Sequence, residues 1–161
     1  MRILRIPAGL AVGGLLLVTA PVHAETPPPD APVIARDDHL FKTFGGHDGL
    51  VRITDDLFVF VLADRRINGF FEAKKIPHIK DMLVEQFCQI LNGGCTYTGK
   101  DMATSHAKLG IHEGDFNALV EDLQKAMDKN HVPFAAQNRL LAALAPQHRA
   151  IVYKPNGSEE E

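Results

Sequence analysis

The chain has 161 residues, 45% of them apolar and 23% charged, with a formal net charge of −3. Those values fit a single globular domain and exclude disorder as a description of the whole. The acidic balance disfavours a nucleic-acid binder, and no apolar run reaches the ~20 residues that span a bilayer as a helix.

Residues 1–24 read as a secretory leader. Arg2 and Arg5 supply the positive start, Ala8 to Ala20 is an uncharged apolar stretch, and Val22-His23-Ala24 has the small-x-small cleavage pattern. The competing reading is a short anchor that stays attached, which three glycines and flanking prolines make a poor spanning helix. No cysteine follows, against a lipoprotein, and the arginines are not adjacent, against the twin-arginine route. The expectation is export by a Sec-type leader to a periplasmic or secreted location, without a stable membrane anchor. Cleavage after Ala24 leaves 15 basic against 20 acidic residues, a net charge of −5. Residues 25–38 carry four prolines between Pro27 and Pro32 and read as a stiff, core-poor tether. Residues 154–161 form a polar tail, so the folding unit is 39–153.

From there the apolar spacing is helical. Leu50, Ile53, Leu57, Phe58, Val61 and Leu62 follow the i, i+3, i+4 rhythm and predict a helix over 48–62 after Gly45-Gly46. A second helix begins near Pro77, acceptable in a first turn, and runs to Leu91. Its apolar residues cover more than half the circumference, so it is buried on two sides. A short third helix fits 101–109, a fourth 114–129 and a fifth 133–152. No stretch alternates with period two, so the class is all-α. Cys88 and Cys95 are seven residues apart. On one helix their Cα atoms would stand ~10 Å apart, too far to bridge. Gly93-Gly94 breaks the helix between them and permits a strained bridge, but the expectation is free or buried thiols.

The chain lacks a Gly-rich phosphate loop, Cys-x-x-Cys, His-Glu-x-x-His and Gly-x-Ser-x-Gly, which disfavours nucleotide and classical hydrolytic chemistry. Nine phenylalanines without a tryptophan suit ordinary aromatic packing, and collectively leave room for a flat aromatic ligand. His39, His47, His78, His112, His131 and His148 read as solvated surface residues. His106 differs, sharing a helix stripe with Met102 and Leu109. Alone, that pattern more often marks a hydrogen-bonded core histidine than a ligand.

From Leu40 to about Tyr153 the chain resembles the truncated haemoglobins of group I. The matching residues are Leu40-Phe41-Lys42-Thr43-Phe44-Gly45-Gly46, Val61-Leu62-Ala63-Asp64-Arg65-Arg66-Ile67, Phe70-Phe71 and the segment from Phe87 to Gly93-Gly94. The most specific run is Tyr97-x-Gly99-x-x-Met102-x-x-x-His106-x-x-Leu109-x-Ile111-x-x-x-x-Phe116. The resemblance implies a two-over-two helical sandwich holding haem b (iron protoporphyrin IX), with His106 as the iron ligand and a diatomic gas on the opposite side. It implies that Phe70 or Phe71 wedges the porphyrin, that Phe87 packs on the distal side, that Met102 and Leu109 lie around His106, and that Ile111 and Phe116 also contact the cofactor.

The distal pattern departs from the family. The usual tyrosine position matches Phe58, and the usual glutamine-bearing positions match Lys80, Leu83 and Val84, in a register that could slip by one residue. A hydrogen bond to the charge on oxygen is worth ~1.5–3 kcal/mol. Losing two therefore implies quick oxygen release from an apolar pocket. Lys80 has three readings: a stem lining the pocket mouth with its ammonium outward, a donor to the gas, or, neutral, an iron ligand. Oxygen binding or transport leads. The rivals are a haem enzyme on the same fold (nitric oxide dioxygenase or weak peroxidase, with an unidentified reductase) and a haem-free interaction module. Low distal polarity disfavours peroxide cleavage. A monomer is expected, without nucleic acid.

Overall fold

The computed structural model describes residues 30–153; the leader, residues 25–29 and the tail lie outside them. All regular structure among the described residues is helical, as the spacing predicts. The α-helices are α1 (His39–Thr43), α2 (Gly46–Ala63), α3 (Ile76–Ile90), α4 (Met102–His106), α5 (Glu113–Lys129), α6 (Phe134–Leu144) and α7 (His148–Ile151). Short 3-10 turns occupy Asn68–Phe70, Ala73–Lys75 and Ala145–Gln147.

The long helices follow from their apolar stripes. On α2 the residues Leu50, Ile53, Leu57, Phe58 and Val61 are buried, and on α5 Ala118, Leu123, Ala126 and Met127 are. Helix α2 packs on both α3 and α5, while α6 packs on α3 and α5. This closes two helix pairs, α2–α3 and α5–α6, into a two-over-two sandwich around one core. Ion pairs reinforce the α2–α5 seam. Asp56 accepts from Lys129 at 2.6 Å and from Asn130 at 2.8 Å. Arg66 bonds Asp64 and Glu121, each at 2.7 Å. The lysine and arginine partners hold the Asp56 and Asp64 carboxyls below the usual carboxylate range. Gly45 and Gly46 turn the chain into α2 at φ +83° and +65°, a left-handed geometry that favours glycine.

Four sequence expectations change. The helix expected over 133–152 breaks at Ala145–Gln147, because Pro146 has no N–H to donate and disfavours helical geometry before it. The helix expected over 101–109 ends at His106. A tight Leu109 N–H to His106 carbonyl bond follows, and Gly110 at φ +63° turns the chain away. Cys88 and Cys95 form a disulfide rather than free thiols. Helix α3 ends at Ile90, and the left-handed residues Asn92 and Gly94 fold the chain back, leaving the two Cα atoms 5.6 Å apart. Gly93 is required here, since a Cβ would stand 2.6 Å from the Phe41 ring and 2.8 Å from Cys88 Sγ.

The fourth change concerns the stretch read as a tether. Ala31 is fully buried, and residues 30–34 are bonded to the domain through three buried glutamines, Gln86, Gln89 and Gln147. The packed unit therefore begins by Asp30. Proline-rich composition suggested an extended chain and gave no sign that its carbonyls would be matched to buried amides.

Candidate haem site

Helix α4 is five residues long, too short to be stable alone. Its first turn is fixed by side chains. Asp101 accepts from the Thr104 N–H at 2.7 Å, an N-cap that satisfies one of the free amides at a helix start. The Thr104 bonds, hydroxyl first, hold the Asp101 carboxyl below its usual range. Before it, Tyr97 is buried; its N–H donates to Gln89 Oε1 at 2.6 Å and its hydroxyl donates to the Lys100 carbonyl at 2.8 Å. Burial pushes the Tyr97 hydroxyl pKa up, with the Asp30, Glu85 and Asp101 carboxylates adding to the effect. Tyr97 is thus a neutral donor that shapes the turn.

His106 closes α4, half-buried, with Nδ1 2.8 Å from the Met102 carbonyl oxygen. A carbonyl can only accept, so Nδ1 carries a proton, and in the neutral imidazole Nε2 then has the lone pair. This is the arrangement in which a neutral imidazole ligates a metal, its second nitrogen anchored by a backbone carbonyl. The donor set thus fits a site at which one histidine would hold a metal through Nε2. Among the described residues there is no group of three or more His, Cys, Asp or Glu that could hold a metal ion by itself. An iron held here by His106 would draw its remaining donors from another ligand.

Met102 is buried, while Ile111 and Phe116 are half-buried. Phe116 packs edge-on against His148 at 5.0 Å between ring centroids. His148 is therefore half-buried rather than a solvated surface residue as expected; α7 packs it back over α4 and α5. Leu109 departs from its expected place. It lies beyond the helix end and is 42% exposed, because the turn after His106 takes it off the stripe.

On the other wall, Phe58 of α2 is buried and meets Phe71 edge-on at 5.5 Å. Lys80 of α3 stands with Nζ 5.6 Å from the Phe58 ring centroid and 2.8 Å from Asp55 Oδ1. Lys80 and Phe58 thus stand side by side across the α2–α3 contact. Phe70 and Phe71 are half-buried against the core, Val84 and Phe87 are buried within it, and Leu83 is half-buried. Phe87 thus serves as a central core ring.

Sequence reasoning missed the polar groups that fasten these walls: Asp30, Gln86, Gln89 and Gln147. Gln86 and Gln89 carried a signal, being uncharged polar residues on the most apolar turn of a helix read as buried on two sides. Asp55 carried none, since its pairing with Lys80 depends on how α2 crosses α3.

Known proteins share this architecture. The profile of the bacterial-like globin family matches residues 39–152. The group 1 truncated haemoglobin of Mycolicibacterium paratuberculosis is 32% identical over 107 residues, covering 66% of this chain and 79% of that protein. The group 1 truncated haemoglobin of Tetrahymena pyriformis is 24% identical over 99 residues, covering 62% and 82%. The crystal structure of that Tetrahymena protein in its Fe(III) form superposes with a TM-score of 0.67 at 22% identity, covering 71% of this chain and 98% of the other. A Synechococcus 2/2 haemoglobin, in a cyanomet state with covalently attached haem, gives 0.66 at 18% identity over the same shares. The two-over-two helical fold is therefore that of the small globins, proteins that bind gases at haem. This chain belongs to the bacterial-like globin family, in its group I truncated haemoglobin branch.

Proposed function

We propose that the chain is an exported globin that binds a diatomic gas at haem b, with His106 as the axial ligand and oxygen binding or transport as its role. The observation that carries this reading is the bond from His106 Nδ1 to the Met102 carbonyl, which leaves Nε2 to the iron. The iron would supply the gas-binding valence. Phe58, Phe70, Phe71 and Val84 would bound the distal and edge faces of the porphyrin, and Met102, Ile111 and Phe116 the proximal face. Leu109 belongs to this set only as a rim residue.

The Lys80–Asp55 pair supports the first reading of Lys80: its stem runs along the mouth over Phe58 while its ammonium is neutralised outside. A paired, charged ammonium has no lone pair for iron. Lys80→Ala should leave the coordination number of the ferric and ferrous forms unchanged. The apolar distal wall supports rapid oxygen release, and no polar group on it supports peroxide cleavage.

Export is supported by the leader pattern and by the disulfide, which persists in oxidising compartments. No described helix is long and apolar enough to cross a membrane. The deciding experiment is optical. The protein should carry a Soret band through gel filtration, and His106→Gly should lose it. A band that survives in His106→Gly overturns the assignment.

A further inference from the structure

Six hydrogen bonds tie residues 30–34 to the globin. Gln86 and Gln147 both donate to the Asp30 carbonyl, at 2.8 and 2.6 Å. Gln89 donates to the Ala31 carbonyl at 2.7 Å, and the Ile34 N–H donates to the Ile90 carbonyl at 2.9 Å. Arg139 reaches the Ile34 carbonyl at 3.2 Å. These five fasten the strap to the end of α3, to α6 and to the 3-10 turn after α6.

The sixth bond goes elsewhere. Asp30 Oδ2 accepts from the Met102 N–H at 2.9 Å. Met102 is the first residue of α4, where a backbone N–H has no partner inside the helix. The same residue's carbonyl accepts the His106 Nδ1 proton. One amino acid thus joins the Asp30 carboxylate on its nitrogen side to the histidine on its oxygen side. Asp30 in turn has its own carbonyl gripped by two buried amides, so the carboxylate is anchored in the body of the fold.

The buried Met102 side chain seats α4 in the core, and the Asp30 bond fixes the backbone N–H of that residue. Asp101 caps the Thr104 amide but is itself exposed and belongs to the loop. Displacing the Met102 peptide would carry its carbonyl, and with it the ring that hangs from that carbonyl. We propose that Asp30 is a positioning residue for His106. The strap, through Gln86, Gln89 and Gln147, sets the height and tilt of the imidazole that faces the haem. This rests on His106 being the axial ligand.

The test uses the haem-loaded protein with Asp30→Ala, which removes the acceptor, and Asp30→Asn, which keeps a carbonyl acceptor on the same stem. Three readouts separate positioning from bulk stability: the iron–histidine stretching band of the ferrous form, haem loss to apomyoglobin, and hydrogen exchange at the Met102 amide. Asp30→Ala should shift the stretching band and speed haem loss about tenfold, the usual scale for losing a partner that orients a metal-bound histidine. Exchange at Met102 should also speed about tenfold as its local protection is lost. Asp30→Asn should recover most of each change. Gln147→Leu, which keeps the carboxylate but removes one of the two amides on the Asp30 carbonyl, should move all three in the same direction by less; it serves where Asp30→Ala does not fold. An unshifted band with haem loss within about twofold of the wild type in Asp30→Ala (or in Gln147→Leu, where that variant stands in) overturns the proposal, whatever happens to the melting temperature. Failure of the axial assignment shows differently, as a wild type without the band or a Soret band retained in His106→Gly.

Discussion

The two walls of the proposed haem site are built on opposite principles. The distal wall consists of two long helices, α2 and α3, whose side chains at the site are aromatic or aliphatic and are held by burial: Phe58 on Phe71, with Val84 and Phe87 in the core. Its one polar feature is the Lys80–Asp55 pair at the rim, a contact worth less than about 1 kcal/mol. The proximal wall is a five-residue helix with one buried side chain, Met102. Besides its packing on α7, it is placed by hydrogen bonds from outside itself, from Asp30, Asp101 and Tyr97 through Gln89, and by the covalent disulfide behind the loop. Packing can seat a long helix because it buries area turn after turn. A single turn buries too little, so its position must be tied.

The largest effect is expected where that tying is densest. Gln89→Leu strands the Tyr97 N–H and the Ala31 carbonyl, both buried, each costing ~1–3 kcal/mol. Urea unfolding should show a loss of about 2–4 kcal/mol, against less than about 1 for Lys80→Ala. Equal losses would erase the distinction between the walls. Breaking the disulfide comes next. Its loop spans eight residues, and releasing such a loop costs about 2–3 kcal/mol on chain-entropy grounds. Cys88→Ser with Cys95→Ser should lower stability by that amount and loosen residues 91–101 in hydrogen exchange, leaving α2 protected. Phe58→Tyr would put a hydroxyl on the apolar wall. Stopped-flow oxygen dissociation should slow by tenfold or more, the worth of one donor to a charged acceptor, with carbon monoxide release changing far less. No change would place the Phe58 edge away from the gas.

The smallest effect is acid dependence at the α4 cap. The Asp101 carboxyl is lowered in the folded state, so its contribution is present above its ordinary value of about 3.9 and fades as pH falls through the lower folded value. Exchange at Thr104 should rise below pH 4 in the wild type, and Asp101→Ala should abolish that step.

The sequence was most readable where burial does the holding. Helices α2, α3 and α5 begin and end within two residues of their periodic stripes, and the class and the sandwich follow from them and from the family resemblance. It was least readable where tying does the holding. Residues 30–34 contain only Ala31, Val33 and Ile34 among apolar types, too few for any period, and their partners lie 56 to 117 residues away. The disulfide depended on left-handed residues at Asn92 and Gly94, and only the glycine was visible as a turn residue. Pro146 was visible and should have ended the last helix; its apolar neighbours Leu144 and Ile151 masked the break.

One of those long ties also orders events in time. The Asp30 carbonyl meets the Gln147 amide across 117 residues of chain, so the first described residue is joined to one of the last helical turns. The contact cannot form until nearly the whole domain has been made, and closing so long a loop is slow compared with winding the local helices. The α2–α3 wall can therefore assemble early, while the histidine helix gains its final anchor only at the end. A chain cut short before Gln147 could build the apolar wall and would still lack one of the two amides that hold the Asp30 carbonyl.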